Sequence, residues 1–111
     1  MRRAALAALF GVAAACGHAK DPIIVAGGAI SIENQTSEDW KNVEVWINDH
    51  FRGSADSLPA HGRLRAPLNS FVAGFDQRFD RTRQSVFGVE VTARTASGRP
   101  VRLVWGSGRR Q

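Results

Sequence analysis

The residues able to do chemistry are few and scattered. His50 and His61 share one polar stretch with Asp49 and Asp56, and two imidazoles with two carboxylates are a donor set for zinc. Their spacing matches no compact metal motif, so they read as solvated loop side chains, and no metal or cofactor is expected. No Gly-x-Ser-x-Gly elbow occurs, and the glycines at 27–28 and 106–108 lack the strand-to-helix context of a phosphate loop. Asp76, Asp80 and Glu90 stand among arginines, which reads as surface ion pairing rather than as the opposed carboxylates of a glycosidase. The expectation is a chain without catalysis. Two features remain as a candidate binding surface. Arg78, Arg81 and Arg83 fall within six residues, and guanidinium forks suit phosphate and carboxylate; the competing reading is a solvated loop in an arginine-rich chain. Trp46 is the other: its flat ring is either exposed to a sugar or a partner, or covered by Phe51, Leu58 or the loop that follows. Trp40 and Trp105 read as packing residues.

Cys16 poses a different chemistry. Met1-Arg2-Arg3 is followed by an uninterrupted apolar run over residues 4–15, the pattern of a secretory signal and too short for a permanent membrane span. The run ends Val12-Ala13-Ala14-Ala15-Cys16-Gly17. Small residues directly before a lone cysteine resemble the bacterial lipoprotein signal, in which the cysteine becomes the lipidated first residue. That resemblance implies a lipid-anchored domain in the cell envelope, facing the periplasm or the exterior. The alternative is cleavage after residues 13–15 or after Ala19, leaving a soluble periplasmic or secreted domain. A single cysteine cannot form an internal disulfide, so an acyl acceptor accounts for it better than a staple does. Loss of Arg2 and Arg3 takes the basic count from 15 to 13 against 10 acidic residues. What remains is lopsided, with the acidic excess before Ser57 and the basic excess after it. Nucleic acid is not an expected partner of an exported domain without interleaved basic and aromatic residues; a membrane reached through the anchor, and an envelope protein or polyanion, are.

These residues must be positioned by strands. Val43, Val45 and Ile47 alternate with Glu44, Trp46 and Asn48, the period of two of a strand with one buried face. Residues 23–25 and 29–34 form two earlier strands, with Ala26-Gly27-Gly28 as a break or bulge between them. Placing Ile32 opposite Val43 and Ile30 opposite Val45 makes residues 29–34 the hairpin partner of residues 40–49, with residues 36–39 as the loop. Residues 49–62 read as a loop containing at most a short strand near Phe51. Residues 63–68 form an edge strand marked by Pro67. Phe71, Phe75 and Phe79 are expected to plug the core from a bend and a short strand. Residues 86–94 turn Phe87, Val89, Val91 and Ala93 inward. A three-residue loop, Ala96-Ser97-Gly98, returns the chain so that Ala93 faces Val101, Val91 faces Leu103 and Val89 faces Trp105.

Six or seven short strands without a convincing helix argue an all-β fold, a small antiparallel β-sandwich, immunoglobulin-like in the loose sense, with a small open barrel as the alternative. The organisation is a signal at 1–15, a tether at 16–22 carrying Cys16, a domain at 23–105 and a tail at 106–111. The run Gly28-Ala29-Ile30-Ser31-Ile32-Glu33-Asn34, then Trp40, then Val43 to Asp49, is similar to the FxLYD-type small sandwiches of bacterial envelope proteins. That similarity implies a non-catalytic β domain. The function expected is a binding or structural module of a cell-envelope lipoprotein, the alternative being a soluble periplasmic carbohydrate- or polyanion-binding domain.

Overall fold

The alternation of branched apolar and polar residues becomes seven antiparallel strands among the described residues. The computed structural model describes residues 20–106; the signal, Cys16 and the tail from residue 107 lie outside them. The strands are β1 (Ile23–Ala26), β2 (Ala29–Glu33), β3 (Trp40–Ile47), β4 (Phe51–Leu58), β5 (Arg63–Pro67), β6 (Gly88–Thr95) and β7 (Pro100–Gly106). They make two sheets, a three-stranded one in the order β1-β2-β5 and a four-stranded one in the order β4-β3-β6-β7. Neither sheet closes on itself, and the two-sheet antiparallel arrangement is consistent with a small β-sandwich.

The core lies between the inner faces. Ile23, Ile30 and Ile32 meet Val43, Val45, Ile47, Val89 and Val91, all of them buried. Each such side chain contributes roughly 1.5–3 kcal/mol on leaving water. Trp40, Leu68, Phe71 and Phe79 fill the ends and the open side.

The β6–β7 pairing follows the expected register, with Val89 opposite Trp105, Val91 opposite Leu103 and Ala93 opposite Val101. Gly98 sits at φ 91° in the connecting loop, a backbone state that suits glycine. The hairpin of residues 29–34 with residues 40–49 is not formed. β2 pairs with β1 and β5, and β3 with β4 and β6. Ile30 and Ile32 therefore meet Val43 and Val45 across the core, not along a ladder. Asn34 diverts the chain. Fully buried, its Nδ2 donates to the carbonyls of Glu38, Leu58 and Pro59 at 2.9, 3.0 and 3.1 Å. Its Oδ1 accepts from the Thr36 N–H at 3.0 Å and the Thr36 hydroxyl at 2.6 Å.

The stretch read as a loop after Asp49 is the full strand β4. Asn48 and Asp49 both take positive φ, 53° and 60°, and the His50 N–H returns to the Ile47 carbonyl at 2.9 Å. That is the mirror-image turn favoured in hairpins, made here by two residues that tolerate left-handed backbone. Two aromatic expectations also change. Phe71 and Phe79 are buried, but Phe75 is exposed at the tip of residues 73–77. Phe87 is exposed, β6 beginning only at Gly88; its N–H and that of Gly88 go to the Asn48 Oδ1 at 2.9 and 3.1 Å.

The sandwich has two poles. One holds residues 34–39, 59–62 and 95–99, linked by Asn34 and by Glu38, whose carboxylate accepts from the Ser97 N–H and Arg99. The other holds the β1–β2 turn, residues 48–50 and Phe87. The chain enters at the first pole: the Lys20 carbonyl accepts from Gln35 Nε2 and the Pro22 carbonyl from the Glu33 N–H, both at 2.8 Å.

Candidate functional site

The outer face of the four-stranded sheet positions the polar side chains of β3 and β4. Alternation that turns Val45 and Ile47 inward turns Glu44 and Trp46 outward. Trp46 pairs with Arg52 on one side and Glu90 on the other, and Glu90 with Val104. Isolated bridges join Arg52 to Val72 and Val72 to Arg78. A small hairpin running from Val72 to Arg78 thereby extends the sheet past β4. Directly opposed residues share a face, so Arg78, Val72, Arg52, Trp46, Glu90 and Val104 form one row. Burial agrees: Phe71 and Phe79, the neighbours of Val72 and Arg78, are in the core.

Trp46 is half-buried in this row. Its Nε1 donates to Glu44 Oε1 at 3.2 Å, and the Arg52 guanidinium lies 6.0 Å from the ring centroid. Glu44 Oε2 accepts from Arg52 Nη1 at 3.2 Å, so one carboxylate bonds both. Beyond Trp46, Glu90 is only 6% exposed and accepts from Arg102 Nε at 2.6 Å. On the Arg52 side a groove of about 660 Å³ opens, lined by Trp46, His50, Arg52, Ser54, Ser70 and Val72 among others. The lining carries positive and neutral polar groups and no carboxylate.

The three arginines of residues 78–83 separate. Arg78 joins the row of Trp46 and donates from Nη1 to the Asn69 carbonyl at 3.3 Å. Arg81 lies over the β1–β2 turn, close enough to Gly28 that a Cβ there would collide with Arg81 Nη1. Arg83 is exposed on a turn closed by Asp80, whose carbonyl accepts from the Arg83 and Gln84 N–H groups at 3.0 Å. The Thr82 hydroxyl and N–H bind the Asp80 carboxylate at 2.7 and 3.0 Å and, with the charge of Arg83, hold it below the usual carboxylate range.

The two histidines lie at opposite poles. His50 is in the β3–β4 turn, edge-on to Phe51 at 4.9 Å, and His61 is in the β4–β5 turn with the whole of β4 between them. Among the described residues no group of three or more histidines, aspartates and glutamates converges. The sequence reading did not pick out Arg52, Ser54, Ser70 or Val72 for this site. Arg52 and Ser54 escaped because β4 itself was unread, and Val72 because only tertiary pairing attaches it to Arg52.

Comparison with protein-family models, with curated proteins and with solved structures finds no match to this chain.

Proposed function

We propose that this chain is a bacterial cell-envelope lipoprotein whose single β-sandwich is a non-catalytic binding or structural module. The lone cysteine at the end of the apolar signal, Cys16, is the lipid attachment point. The observation that carries the reading is the polarity of the domain. Residues 20–22 are fastened at one pole, while the groove beside Trp46 opens near the other. A short tether from Cys16 would hold the first pole to a membrane and present the second outward. Strand order supports an immunoglobulin-like assignment: with the strands lettered in chain order, the sheets are A-B-E and D-C-F-G, which differs from the constant-type arrangement only in the sheet joined by the fourth strand. Metabolic labelling with a palmitate analogue tests the anchor. Label on the native chain and none on Cys16→Ala is the expected result; equal labelling and processing of the two overturns it.

A soluble periplasmic carbohydrate- or polyanion-binding domain is the second reading, favoured by the aromatic and basic lining of the groove.

A further inference from the structure

We propose that the groove beside Trp46 and Arg52 binds a carboxylate-bearing oligosaccharide; this rests on the reading of the domain as a binding module and names its ligand.

The shape suits a linear chain. The floor crosses β3 and β4 to the first arm of the small hairpin, from Trp46 through Arg52 to Val72, two strand spacings or about 10 Å, and Arg78 follows Val72 in the same row beyond the lining. At one end the half-buried Trp46 ring is a platform whose Nε1 is held by Glu44 Oε1. The electron-rich face of an indole attracts the polarised C–H groups of a pyranose, and burying that apolar face costs little order when the ring is already fixed.

The charge suits a carboxylate. Arg52 pairs with Glu44 through Nη1, but both side chains are about half exposed, 54% and 41%. Such a pair is weak. The guanidinium can therefore turn its free edge to a ligand carboxylate in a two-pronged contact. Arg78, exposed at the far end of the row, supplies a second cation. Phosphate is the poorer fit, because it is best held by a nest of free N–H groups. Those on this floor are committed: the Arg52 N–H to the Val72 carbonyl at 3.0 Å, the Val72 N–H to the Arg52 carbonyl at 3.1 Å, and the Ala73 N–H to the Gln77 carbonyl at 2.7 Å. The walls add sugar-sized polar groups. The Ser70 hydroxyl donates to the Pro67 carbonyl at 2.6 Å, which leaves its oxygen able to accept from ligand hydroxyls. His50 and Ser54 also line the groove, to either side of Arg52 along the chain.

The test is titration of the full chain with trigalacturonate, with maltotriose and inorganic phosphate as the neutral and the compact-anion probes. Calorimetry and tryptophan emission are read together. Trigalacturonate should release or absorb heat and change the emission; maltotriose should bind roughly tenfold more weakly or less, and phosphate should not compete. Arg52→Ala and Arg78→Ala should each weaken trigalacturonate by roughly tenfold, with Arg52→Lys between them and the native chain. Trp46→Phe should abolish the emission change while the circular dichroism of all variants stays native. A flat titration with trigalacturonate overturns the proposal, as does equal binding of maltotriose, displacement by phosphate at matched charge, or unchanged affinity in Arg52→Ala. Positive palmitate labelling beside a flat titration sinks the ligand alone; negative labelling beside a positive titration sinks the anchor alone.

Discussion

The Asn34 amide is completely buried and spends both ends on the crossing from one sheet to the other. Asn34→Ala would leave the Leu58 carbonyl and the Thr36 N–H without this partner, a loss of about 2–3 kcal/mol. That corresponds to roughly 10 °C or more in melting temperature for a domain of this size, readable by calorimetry. Asn34→Asp removes the donor and adds a buried charge, and it should be worse. In the sequence Asn34 stands only as the last residue of the strand at 29–34, because burial of an amide leaves no trace in residue order. Glu38 acts at the same pole. Arg99, with further hydrogen bonds from Ser97, holds its carboxyl below the usual range. A carboxyl depressed by folding binds its proton more readily in the unfolded chain. Its contribution is therefore complete at neutral pH and disappears as the pH falls through the depressed value. Glu38→Gln should flatten the loss of stability below about pH 5, as measured by denaturant unfolding across pH. An unchanged acid limb would show that the pair has no such linkage.

Strand β4 shows how an element can be hidden by small residues. Arg52-Gly53-Ser54-Ala55-Asp56-Ser57 has neither the branched side chains nor the apolar alternation of a typical strand. It is a strand because β3 pairs along its length and because Phe71 supplies the inward bulk that β4 lacks. A Cβ at Gly53 would stand 2.9 Å from Phe71 Cε2 and 3.1 Å from Cδ2. Phe71 is 1% exposed and has nowhere to go. Gly53→Ala should cost about 1–3 kcal/mol by overpacking. It should also shift the small hairpin that starts at Val72, so chemical-shift changes are expected at Arg78 as well as around Gly53. Changes confined to β4 would mean that the hairpin is not held through Phe71. At the hairpin tip, Phe75 holds φ 61° while fully exposed. Left-handed backbone is unfavourable for a side chain of that kind, so Phe75→Gly should leave stability unchanged or raise it by up to about 1 kcal/mol.

At the scale of the molecule, the two sheets share one core and neither buries its apolar face alone. Trp40 and Trp46 are in β3 and Trp105 is in β7. Tryptophan emission therefore reports the four-stranded sheet, whereas far-UV circular dichroism reports both. The two signals should give one coincident transition in guanidinium. An earlier transition by circular dichroism would mean that the β1-β2-β5 sheet comes away independently.

Residue order by itself determined where most strands run, which faces are apolar and how β6 meets β7. Those are local facts: alternation reports a strand and its buried side, and the loop 96–98 is short enough to impose its register. The same parity misassigned β2, because an apolar face is satisfied equally by a neighbour in its own sheet or by the sheet opposite. Only tertiary structure decided between them, through the buried contacts of Asn34 and the pairing of β4 along β3. It also assembled the groove, since Trp46 and Val72 are distant in the chain and share a row solely through their pairings with Arg52.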